Sequence, residues 1–141
     1  MRVLKICKKL NLDPALMALM HDFTNYCADA LPIKGNFVIN VVSDRKPYSI
    51  PTTGAYFVGQ NKINVYGKNR ALVDVLRSIA HEMTHMMQEE KDMLEFPVQD
   101  AGGHIEDEAN AKAGELIKLF AKSKPTRGKI YESALRSNKV I

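Results

Sequence analysis

The stretch from about Asn69 to past Gln88 reads as one amphipathic helix, and it carries His81-Glu82-Met83-Thr84-His85. No other feature restricts the fold as strongly. Successive residues of an α-helix turn by about 100°. His81 and His85 therefore lie about 40° apart and one turn separated, so two imidazoles can reach one metal ion. Glu82 falls about 100° from His81, at the edge of that face, placed to touch a water on the metal rather than the metal itself. Asp74, Ser78 and Gln88 share the histidine side, while Leu72, Leu76, Ile79 and Met83 occupy the opposite one. A helix patterned in this way buries one side and lines a cleft with the other.

A catalytic zinc site takes three protein ligands and keeps a fourth position open. A histidine-rich continuation is absent, because Gln88 and Lys91 stand where Gly and His would be needed. No cysteine follows the motif, since the two cysteines are Cys7 and Cys27. The remaining candidates are His104 and the carboxylates within residues 103–110. A helix is expected over about 105–122. With Glu106 as origin, Ala109, Ala113, Leu116, Ile117 and Phe120 fall within roughly 80° of it, on the apolar stripe. Glu108 falls about 200° away, beside Lys112 and Glu115. Two roles fit Glu106. One is an acid favoured by the helix N-terminus, a role that also suits Asp107 and Glu108. The other is the third ligand, and the upstream motif favours it, because a carboxylate ending an apolar stripe needs a partner. Asn110, one turn on, is placed to orient a ligand by hydrogen bonding from behind.

These residues resemble the gluzincin class of zinc metallopeptidases, to which thermolysin belongs. That class pairs H-E-x-x-H with a Glu on a later helix, often followed four residues on by Asp or Asn. Here twenty residues separate His85 from Glu106, and Asn110 follows. The later helix also resembles the E-x-E-A-N-x-x-A-x-x-L pattern of ImmA/IrrE-like peptidases. It reads Glu106-Asp107-Glu108-Ala109-Asn110-Ala111-Lys112-Ala113-Gly114-Glu115-Leu116, with Lys112 where that group commonly has a large apolar residue. The likeness spans about residues 54–120. It implies a zinc-dependent peptidase acting on a protein or peptide substrate. Zn²⁺ would be held by His81, His85 and Glu106, with Glu82 as general base. It also implies an edge strand that takes up substrate as an added strand, a place given to Lys62–Tyr66. Donors for the developing oxyanion are sought in His104, Tyr56 and Tyr66, although His104 also reads as a loop residue after Gly102-Gly103.

The other segments surround this pair of helices. Residues 1–12 fit a short helix or a strand equally well. Asp13-Pro14 reads as an N-cap followed by proline at the first helical position, opening a helix over 14–30 that Leu31-Pro32 ends. Phe37–Val42, Ala55–Val58 and Lys62–Tyr66 read as strands, the last two joined through Gly59-Gln60-Asn61. The expected fold is α+β and zincin-like. It comprises a small mixed β-sheet, an N-terminal helix, the H-E-x-x-H helix and a C-terminal ligand-bearing helix. One domain over 1–122 precedes a basic tail over 123–141.

Composition supplies the remaining bounds. With 45% hydrophobic and 26% charged residues, the chain is not a disordered or fibrous sequence. No window reaches the ~18 unbroken apolar residues of a membrane span. The N-terminal residues lack a signal-peptide core, and two cysteines make no disulfide framework, so a cytoplasmic protein with reduced thiols is expected. The net charge of +4 is uneven: +4 over 1–9, +2 over 10–73, −8 over 74–115 and +6 over 116–141. Lys118, Lys122, Lys124, Arg127, Lys129, Arg136 and Lys139 make the C-terminal end basic and raise an alternative, nucleic-acid contact through phosphates. A further alternative is a metal-stabilised binding protein without peptidase activity. Glu82 speaks against it, since a structural site needs no carboxylate beside its first ligand. Oligomeric state leaves no mark in the sequence.

Overall fold

The structure, a computed structural model, describes residues 1–94, 103–136 and 140–141. It is a small mixed α+β fold. The order is β1 (Arg2–Ile6), α1 (Pro14–Ala30), β2 (Phe37–Val42), a short 3-10 turn (Lys46–Tyr48), β3 (Gly54–Phe57), β4 (Lys62–Tyr66), α2 (Leu72–Glu90), α3 (Gly103–Ser123) and α4 (Pro125–Arg136).

The four strands form one sheet in the order β1-β2-β4-β3. β1 pairs parallel with β2, from Arg2 opposite Phe37 to Ile6 opposite Val41. Tertiary pairing thus settles residues 2–6 as strand, where local pattern left helix and strand open. Parallel neighbours need a crossover, and α1 is that crossover. Asp13 caps it as expected, its Oδ1 accepting from Leu16 N–H at 2.8 Å. β2 also pairs parallel with β4, and β3 folds back antiparallel on β4. Asn61, at φ 50°, and Gly59, at φ 79°, turn the hairpin.

The sheet order corrects one expectation. Lys62–Tyr66 is an interior strand with neighbours on both sides, and the edge beside α2 is β3. The chain leaves β2, runs out to the edge and returns between. A hairpin's edge member cannot be told from its inner member by alternation alone.

Phe37, Ile39, Val41, Ile63 and Val65 form the apolar side of the sheet and join one buried core with α1 and α2. α2 is central and contacts α1, α3, α4, β3 and β4. The apolar stripe of α3 (Ala109, Ala113, Leu116, Phe120) seals it from the far side. Phe120 meets Phe23 edge-on with ring centroids 5.1 Å apart.

Beyond Ser123 the chain does not trail off. Pro125 opens α4, as the fixed φ of proline suits a first helical turn. Arg127 ties α4 down: its Nη2 lies 2.6 Å from Asp22 Oδ2, and its guanidinium sits 4.4 Å from the Phe120 ring centre. Ile141 is buried, its N–H donating to Arg70 O at 3.0 Å. Of the C-terminal cations, Lys118, Lys122, Lys124 and Lys129 are exposed, and Lys139 lies outside the described residues. Among the described residues no helix is long and apolar enough to cross a membrane.

Candidate metal centre

His81 and His85 stand one turn apart on α2 with their Nε2 atoms 3.2 Å from each other. Glu106, in the first turn of α3, reaches between them. Its Oε2 lies 3.2 Å from His81 Nε2 and its Oε1 2.8 Å from His85 Nε2. Donors about 2.0–2.1 Å from one tetrahedral ion sit roughly 3.3 Å apart, which is close to these separations. Two imidazoles and a carboxylate converging from two helices can hold a metal ion. The sequence reading of these three residues as neighbours is met in space. His81 is held below the ordinary histidine range, first by burial and then by the adjacent His85, against the pull of Glu106 and a hydrogen bond with Asn110. The neutral imidazole so favoured is the ligating form. Asn110 thus supports His81 from α3, as its spacing from Glu106 suggests.

Gln88 fixes the second histidine. It is fully buried, and its Nε2 donates to Ile105 O at 3.0 Å and to Glu108 Oε1 at 2.9 Å. Its oxygen must therefore face His85, whose Nδ1 lies 2.8 Å away. A carbonyl oxygen only accepts, so His85 carries a proton on Nδ1, and Nε2 is the atom directed at Glu106 and His81. Supporting partners of this kind are worth about 10–100-fold in metal affinity. Gln88→Leu should lose that much in a Zn²⁺ competition titration while keeping its helical circular dichroism. Unchanged affinity would remove Gln88 from the support. Glu108 is also drawn in here. Helix arithmetic sets it on the far side of α3, yet the start of α3 lies against the end of α2, and Gln88 is long enough to reach around.

Glu82 is 9% exposed. Burial, then the negative charge of Glu106, pushes its carboxyl up to about 8, and a hydrogen bond from the Tyr56 backbone opposes this. β3 lies against it without a side chain in the way. A Cβ on Gly54 would stand 3.1 Å from Glu82 Cγ and 3.3 Å from Oε1. Glycine here makes room for the carboxylate between the edge strand and the motif helix.

These groups open into a cleft of about 650 Å³ between β3, α2 and the start of α3. Asp74, Ser78, His81 and His85 line it from α2, so the polar side of that helix does face the cleft. Tyr56 also lines it, but its hydroxyl donates to Glu89 Oε2 at 2.7 Å. Tyr66 lines a neighbouring hollow instead. His104 is exposed on the first turn of α3 and is not among the cleft-lining residues. Arg70, unnoticed in the sequence, does line the cleft. It donates to Tyr66 O at 2.7 Å, to Asp74 O at 3.1 Å and to Ser78 Oγ at 2.9 Å. The signal was its spacing, four residues before Asp74 and eight before Ser78 on the histidine side. No protein-family model, curated protein or solved structure matches this chain.

Proposed function

We propose that this chain is a zinc-dependent metallopeptidase of the gluzincin type, zincin-like in fold and akin to the ImmA/IrrE-like peptidases, that hydrolyses peptide bonds of a protein substrate. The observation that carries the reading is the convergence of His81, His85 and Glu106 beside Glu82, which is buried but borders the cleft. The donor set suits Zn²⁺, whose catalytic sites use histidine nitrogens and a glutamate oxygen. A bound zinc ion supplies Lewis acidity, polarising a carbonyl and making water a stronger acid.

The protein's own residues do the rest. Gln88 and Asn110 hold the two imidazoles in place. β3, the outermost strand of the sheet, lines the cleft through Gly54 and Tyr56, a place suited to an extended peptide laid down as a further strand. Glu82, whose ionised form a neighbouring cation would favour against its burial, takes the proton of the attacking water as the water oxygen bonds to the scissile carbon. It then passes that proton to the amine nitrogen as the C–N bond breaks. The Tyr56 backbone N–H and the space at Gly54 keep its carboxylate facing that bond.

The test is direct. Zinc-loaded protein incubated with a denatured protein mixture should create new N-termini, read by mass spectrometry. These should vanish on chelation and return with added Zn²⁺. A mixture unchanged in all three samples would refute the reading.

A further inference from the structure

A second hollow, of about 360 Å³, adjoins the cleft and shares Thr52, Thr53 and Arg70 with it. Its charged lining residues are Arg45, Lys68 and Arg70, with no acid among the lining residues. None of the three makes an ion pair among the described residues. Asp74, on the adjoining cleft wall, places its Oδ1 2.9 Å from Arg77 instead.

Arg70 is the built part of this hollow. It is half-buried, and its three bonds go to neutral oxygens of Tyr66, Asp74 and Ser78. A guanidinium has five N–H donors, so two remain after these bonds. Ser78 stands one turn before His81 on the same side of α2, so the guanidinium is held about one helical turn from the metal centre. Burial lowers Arg70 below the usual guanidinium range, against the opposing charge of Asp74, and the like charge of Arg45 adds to the lowering; Arg45 itself lies 4.7 Å over the Tyr66 ring. Like charges gathered at one end of a concave site, with no acid in the lining of the hollow and with Asp74 on the adjoining wall paired to Arg77, call for an anion. Val58 and Leu94 add apolar surface to the cleft.

We infer that Arg70, with Arg45 and Lys68, forms a subsite for a carboxylate of the peptide lying in the cleft. The inference rests on the peptidase reading and deepens it by naming a substrate class, peptides with an acidic group a short distance from the scissile bond. The carboxylate is either an Asp or Glu side chain or the C-terminal carboxylate of the substrate.

The probes are short fluorescein-labelled Ala/Leu peptides with one Glu scanned along them, or Gln in its place. Each is made as the free acid and as the carboxamide. They are titrated by anisotropy into zinc-loaded Glu82→Gln protein at low and high salt. Charge-assisted hydrogen bonds give roughly tenfold or more, so carboxylate peptides should bind at least about tenfold tighter than their neutral partners, and less so in high salt. A gain confined to one Glu position identifies a side chain, and a gain confined to free acids identifies the terminal carboxylate; either supports the subsite. The preference should disappear in Arg70→Gln. It should also fall in the Arg45→Gln/Lys68→Gln double variant, whose changes are on exposed residues and spare the fold. Equal binding of charged and neutral peptides, or a preference intact in both variants, overturns the subsite. Cleavage by the unmutated protein without carboxylate preference refutes the subsite alone. A carboxylate preference with no cleavage refutes the peptidase reading alone. Absence of binding by any peptide refutes the subsite as stated.

Discussion

Glu82→Gln should abolish peptide cleavage and leave the metal in place. The amide matches the carboxylate in shape, so the wall between Gly54 and the Tyr56 backbone remains filled. Its oxygen still accepts the Tyr56 N–H, but it cannot take a proton from water. General acid–base groups contribute about 10²–10⁴-fold to rate. The loss should therefore be at least of that order, expressed in kcat, with zinc content unchanged. The fold should not suffer either. The change removes a buried carboxyl crowded by the charge of Glu106, and replacing a strained buried acid with its neutral isostere does not cost stability. A melting temperature at or above that of the unmutated protein, together with undiminished cleavage, would show that another group serves as base.

His81→Ala should have the second large effect, on metal affinity itself. Removing one of three ligands leaves two, and the loss should exceed the roughly 10–100-fold assigned to supporting partners such as Gln88. Stability reports the same event. A ligand bound only by the folded protein adds about 2.7 kcal/mol at a hundredfold excess over its Kd. Zinc should thus raise the melting temperature of the unmutated protein by several degrees, and that rise should disappear in His81→Ala. An equal zinc-induced rise in both proteins would place the ion elsewhere.

Local signals anticipated those elements whose ends are written locally. Asp13-Pro14 and Leu31-Pro32 bound α1 at Pro14–Ala30, and β2 and β4 match the expected ranges. β1 escaped because its state depends on pairing with a strand more than thirty residues away. The edge position of β3 escaped because alternation sets which side chains share a face, not which strand lies outermost. Pro125 signals either an end or a first turn, and only packing against Asp22 and Phe120 decides for the turn. At the site, His81, His85, Glu106 and Asn110 were readable because helix arithmetic relates residues of one helix, and each helix carries its own part. Arg70 shares the histidine side by the same spacing but stands just before the first turn of α2, and only the fold shows its guanidinium reaching forward to Ser78. Glu108 was placed by rotation alone, which ignores how closely the ends of α2 and α3 approach.

The uneven charge of the chain acquires a place in the fold. The acidic stretch from 74 to 115 contains all but the first two residues of α2 and the first part of α3, where Glu82 and Glu106 line the same cleft as the two histidines. The C-terminal positive charges belong largely to the end of α3 and to α4.

The central claim is that His81, His85 and Glu106 hold one zinc ion while Glu82 stands beside it. Zinc per chain, measured after dialysis against a weak chelator in Glu106→Ala and Glu82→Gln side by side, separates these roles. Near one zinc in Glu82→Gln and almost none in Glu106→Ala is the outcome that fits. Full zinc in Glu106→Ala, or equal loss in both, would break the assignment.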